Sequence, residues 1–120
     1  MLNATQLRAA VASGGAGCAH CASLQCAGWE SVTAPLAAPL LEAVGTLRDP
    51  SVEDPTLLEH HPAGTSYWSA QAPVAVAAFP YNRCDVWRCP QCRRGFVQYT
   101  EFGGYYVDHR LREIDPSLIV

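Results

Sequence analysis

Apolar residues recur at helical spacing in the first half of the chain and give way to strand-favouring runs in the second. Leu7, Ala10 and Val11 share one helical face, and Asn3 or Thr5 can cap a helix that runs to about Ser13, where Gly14-Gly15 stops it. Residues 22–33, with Trp29 and Val32, read as an irregular strand. Pro35, Pro39, Pro50, Pro55 and Pro62 then break the middle of the chain. Within it, Leu40, Leu41, Val44 and Leu47 have the spacing of a second helix, ended by Asp49-Pro50, and Thr56–His61 fits one helical turn. Strand-favouring residues fill Val74–Phe79, Asp85–Arg88 and Phe96–Phe102. Gly103-Gly104 reads as a two-residue turn, Tyr105–His109 as its return strand, and Arg110–Ile114 as a closing helical turn. The fold class expected is α+β: a small antiparallel sheet in the C-terminal half, with one or two short helices from the N-terminal half. The organisation expected is a single domain over residues 1–120, with a Pro-rich insertion at 34–66.

Length and composition narrow this little. A chain of 120 residues that is 49% hydrophobic can build a core, so a metal would assist the fold without being its sole support. The net charge of −3 gives no general attraction to nucleic acid or to an anionic membrane. All eight basic residues are arginine, and six of them fall within residues 83–112. Ordinary solvated surface explains that bias more simply than an anion-binding face. The N-terminus lacks the basic and apolar regions of a signal peptide, and no run approaches the ~18 apolar residues of a membrane span. A cytoplasmic location is expected, where cysteines stay as thiols or bind metal.

The chemistry lies in the six cysteines. Cys18-Ala-His-Cys21 and Cys89-Pro-Gln-Cys92 are both Cys-x-x-Cys, with Cys26 and Cys84 close by. Two such pairs supply the four sulfurs of a tetrahedral site, because two intervening residues let a tight turn aim both thiolates at one ion. The second pair sits between strand patterns, and Pro90 fixes φ in its turn.

The segment Cys89-Pro-Gln-Cys92-Arg-Arg-Gly-Phe96 resembles a zinc ribbon, in which two cysteine knuckles share one zinc. The resemblance covers about residues 84–102 together with Cys18–Cys21. It departs from the usual pattern, which has Gly directly after the second Cys; here that position is Arg93 and the Gly falls at 95. The 67 residues between the pairs are also a long insertion for a ribbon. The resemblance implies metal knuckles at 18–21 and 84–102 and a structural zinc on Cys18, Cys21, Cys89 and Cys92. Cys26 or Cys84 can stand in for one of the four, and His20 is a further candidate ligand. The stretch Tyr99–Tyr106 is similar to a small group of uncharacterised bacterial proteins, which brings no activity with it.

Other chemistries have weaker support. A thiol–disulfide enzyme needs a Cys-x-x-Cys opening a helix, and neither pair stands before a helical pattern. The cysteine spacings are incomplete for an iron–sulfur cluster. Glu59-His60-His61 is not a zinc-protease motif and reads as a polar loop, and His109 beside Asp108 reads as a strand residue. The function expected is non-catalytic: a small zinc-binding module for an unknown protein partner, with the arginines beyond Cys92 or the Tyr105-Tyr106 edge as its contact surface. The alternatives are a thiol–disulfide oxidoreductase and a zinc-dependent nucleic-acid binder; membrane association is not expected.

Overall fold

Asn3 starts the first element by the rule for polar helix caps. Its side chain accepts the Gln6 backbone N–H at 2.8 Å, and the Gln6 side chain accepts the Asn3 N–H at 2.9 Å. Helix α1, Ala4–Ala10, buries Leu7, and Val11 follows it into the core. The computed structural model describes residues 1–11, 18–32 and 40–120. The expected helix stop at Gly14-Gly15 and the breaks at Pro35 and Pro39 lie outside those residues.

Among the described residues five strands follow: β1 Glu30–Val32, β2 Glu42–Thr46, β3 Asp85–Arg88, β4 Gly95–Phe102 and β5 Val107–Glu113. They form one antiparallel sheet in the order β1-β5-β4-β3-β2. The protein is thus mostly β with a little helix. The C-terminal half supplies the three central strands, as expected, whereas both edge strands come from the N-terminal half.

Alternation along the strands divides the core in two. Val86, Val97 and Tyr99 face Leu7, Val11, Trp29, Val74 and Tyr81. On the other sheet face, Phe96 and Leu111 pack with Cys21, Cys26, Leu41 and Cys89, against which Trp87 rests. The first face also takes two arginines. Arg112 is fully buried and donates from Nε to the Ala27 carbonyl at 3.2 Å, from Nη2 to those of Ala70 and Ala72 at 3.2 and 2.8 Å, and from Nη1 to the Tyr81 hydroxyl. Arg110 bonds Asp108 at 2.9 Å and the hydroxyls of Tyr67 and Tyr99 at 3.1 and 3.2 Å. Buried charge is tolerated here because each guanidinium meets several acceptors.

Several sequence expectations fail locally. Residues 40–47 form β2, not a helix. The pairing passes from Ala43↔Trp87 to Gly45↔Val86, so Val44 is the extra residue of a bulge. The bulge sends Leu41 to one sheet face and Leu47 to the other, which imitates helical spacing. Arg110–Glu113 continues β5 instead of turning into a helix, and residues 103–106 make a four-residue connection closed by Gly103 N–H donating to the Tyr106 carbonyl at 2.9 Å. Thr56–His61 is irregular. The carbonyls of Pro55, Thr56 and Leu58 are taken by Arg83, Asn82 and Phe79, not by helical N–H groups. Val74–Phe79 contributes only a bridge from Val74 to Ile119 before turning. Among the described residues, no helix is long and apolar enough to cross a membrane.

Candidate metal centre

The two Cys-x-x-Cys loops meet at one end of the sheet. Strand β3 delivers Cys89 directly after Arg88, and β4 departs at Gly95, so the second loop is the tip of the β3–β4 hairpin. Arg93 N–H donates to the Cys89 carbonyl and Cys89 N–H to the Arg94 carbonyl, both at 2.9 Å, which closes the tip. Arg93 takes the left-handed conformation, with φ +66°. This is the backbone state that favours glycine, and it stands where the ribbon pattern places one. Gly95 answers a different need: a Cβ there would lie 2.1 Å from Val11 Cγ1. The displaced glycine lets the helix exit pack against the start of β4.

The first loop leads through Cys21 into a short 3₁₀ turn, Ala22–Leu24, and Leu24 N–H donates to the Cys21 carbonyl at 2.9 Å. Cys21 and Cys89 are fully buried; Cys18 and Cys92 lie at the edge of the same apolar cluster. Packing of both loops on Phe96 and Leu111 therefore brings together thiols 71 residues apart.

The sulfurs of Cys18, Cys21, Cys89 and Cys92 all lie within 4.8 Å of one another. The cross-loop pairs Cys18–Cys89 and Cys21–Cys92 stand at 3.8 and 3.7 Å. A disulfide would need about 2.05 Å. A tetrahedron of sulfurs about 2.3 Å from a central zinc has edges of about 3.8 Å. The arrangement fits a four-sulfur metal site, and soft sulfur-only donors in a tetrahedron suit zinc or iron. Four protein donors would fill the coordination sphere and leave no position for a substrate, which suits a structural ion.

The surroundings favour charge on one of these sulfurs and oppose it on another. Backbone N–H groups of Cys21 and His20 hold the Cys18 thiol down at about 7, with the neighbouring thiols helping, while partial burial opposes them. Burial pushes Cys21 up to about 12, although the Gln25 side-chain amide donates to its sulfur at 3.6 Å. Arg94 bonds both Glu113 carboxylate oxygens, at 3.2 and 3.3 Å, and lies within electrostatic reach of Cys92 and Cys21. One guanidinium, already shared with Glu113, cannot balance four thiolates; a divalent cation held by all four would halve their charge, from −4 to −2.

The other candidates lie apart from this group. Cys26 is buried and donates its thiol to the Leu111 carbonyl at 3.8 Å; Cys84, fully buried, donates to that of Pro80 at 3.3 Å. His20 donates from Nε2 to the Leu40 carbonyl at 2.7 Å. His61 pairs with Glu59 at 2.7 Å in an irregular segment, and His109 sits on β5 with Thr100 Oγ1 3.0 Å from its Nδ1. Sequence reasoning missed Gln25 as a neighbour of the sulfurs, and Glu113 as the partner of Arg94 beside them. Gln25 was within reach as the residue four beyond Cys21; Arg94 stands two residues after Cys92 in the sequence, but no local pattern reveals its pairing with Glu113. No family model, curated protein or solved structure matches the chain.

Proposed function

We propose that Cys18, Cys21, Cys89 and Cys92 hold one structural zinc ion in a zinc-ribbon-like centre, and that the protein is a non-catalytic module presenting a surface to a protein partner. The observation that carries this reading is the approach of four sulfurs within 4.8 Å, with cross-loop spacings near a tetrahedral edge. The ion ties the N-terminal loop to the β3–β4 hairpin and makes residues 1–120 one unit. A reducing cytoplasm is the compartment that keeps such thiolates available. The contact surface in this reading is the β4–β5 tip, where Phe102, Tyr105, Tyr106 and Val107 stand out from the sheet.

A thiol–disulfide enzyme fits less well. Cys21 precedes a three-residue 3₁₀ turn and Cys92 precedes a strand, so neither pair has the helix N-terminus that stabilises a reactive thiolate. Serine substitutions separate the readings. Cys18→Ser, Cys21→Ser, Cys89→Ser and Cys92→Ser should each lose zinc and melt early, while Cys26→Ser and Cys84→Ser keep a full equivalent. Disulfide reductase turnover by the wild type, or zinc retention by all six variants, contradicts the proposal.

A further inference from the structure

A cleft of about 430 Å³ opens away from the cysteines, against the ends of β3 and β4. Its walls include Arg48, Arg83, Asp85, Trp87, Gln98 and Phe102. Asp85 pairs with Gln98 and Trp87 with Phe96, so Asp85, Trp87, Gln98 and Phe102 share one sheet face by alternation. Arg48 follows β2, and Arg83 ends the 3₁₀ turn Tyr81–Arg83, so both stand beside the strand ends.

The polar groups of this cleft are not spent on one another. Among the described residues neither Arg48 nor Arg83 forms an ion pair, and neither does Asp85. Arg48 reaches only the Arg83 carbonyl, at 3.4 Å, and Arg83 only that of Pro55, at 3.0 Å, with its guanidinium over Phe79. The Gln98 side-chain amide hydrogen-bonds no described residue, and the Trp87 Nε1–H and Arg83 Nε–H are buried without a hydrogen-bond partner. A buried N–H without a partner is costly unless something else meets it. Phe102, 76% exposed, and the Trp87 indole add aromatic surface at the same place.

We propose that this cleft binds a nucleoside monophosphate, with its phosphate on Arg48 and Arg83 and its base against Trp87 and Phe102. Guanidinium forks match phosphate oxygens, and bases stack on aromatic rings. Asp85 and Gln98 offer an acceptor and an amide to the polar edge of the base. The two guanidiniums outnumber the carboxylate, which favours an anion, and the volume is in the range of small-molecule sites. None of these residues is a proposed metal ligand, so the cleft can be tested whatever the cysteines hold.

The test is tryptophan fluorescence of the full chain titrated with GMP, AMP, CMP and UMP, alongside inorganic phosphate and guanosine. At least one nucleotide should give a saturable change, with phosphate and guanosine each about tenfold weaker or more. Arg48→Ala, at an exposed position, should weaken the nucleotide about tenfold while circular dichroism stays unchanged. Phe102→Ala, also at an exposed position, should weaken binding in the same direction and serves should Arg48→Ala fold poorly. No saturable change with any of the four up to about 5 mM overturns the proposal. Nucleotide binding unaltered in both variants, or phosphate alone binding as tightly as the nucleotide, overturns it as well.

Discussion

Replacing Arg93 with glycine should stabilise the protein, although it removes a charged side chain from the candidate metal centre. Arg93 holds φ +66° at the hairpin tip, one residue after Cys92. A left-handed backbone costs an L-residue about 1–2 kcal/mol. Glycine removes that cost but loses about 0.5–1 kcal/mol more chain entropy on folding. The net gain for Arg93→Gly is then about 0.5–1 kcal/mol, or about 2–4 °C in Tm for a chain of this size. Arg93→Ala is the control. It removes the same charge but keeps the strained backbone, so its stability should stay within about 0.5 kcal/mol of wild type. Guanidinium unfolding of zinc-saturated protein measures both, with an unchanged m-value as the check that only stability moved. If glycine is no better than alanine, the tip does not have the conformation described, and the explanation of the missing ribbon glycine fails with it.

Gly95→Ala should act in the opposite direction. Its Cβ meets Val11 Cγ1 at 2.1 Å, so about 1–3 kcal/mol of overpacking is expected. Val11→Ala in the same chain should recover part of that loss in a double-mutant cycle, and simple additivity would contradict the contact. The two cysteines outside the cluster predict alkaline destabilisation. Burial raises Cys26 to about 11 from 9.0 and holds Cys84 well above 9.0. The folded state thus keeps protons that the unfolded chain releases. This contribution is fully present below pH 9.0 and declines as pH rises toward 11. Denaturation series across that window should show the decline, and Cys84→Ala should flatten it; a slope unaffected by the variant would assign the effect elsewhere.

The site was more legible in the sequence than the fold around it. Cys-x-x-Cys spacing is a local signal, and the Asp85–Arg88 and Phe96–Phe102 runs announced the hairpin that carries Cys89 and Cys92. The convergence of loops 71 residues apart was an inference from chemistry, and packing on Phe96 and Leu111 supplies its physical means. What escaped notice depends on long-range pairing. The bulge at Val44 moves Leu41 and Leu47 to opposite faces of an edge strand, so their spacing carried a helical period that the sheet overrides. Arg110 and Arg112 look solvated in the sequence, yet both point at the core, because Tyr67, Tyr81 and Tyr99 and three backbone carbonyls converge on them. No window around residue 110 contains those partners, and without them a strand with arginines at alternate inward positions reads as a polar turn.

X-ray absorption at the zinc edge, with metal stoichiometry on protein purified without added zinc, addresses the four-sulfur centre most directly. One zinc per chain with four sulfur neighbours at about 2.3 Å is the result this account predicts. Protein that is folded and carries six titratable thiols, but less than about a tenth of an equivalent of any metal, would contradict it.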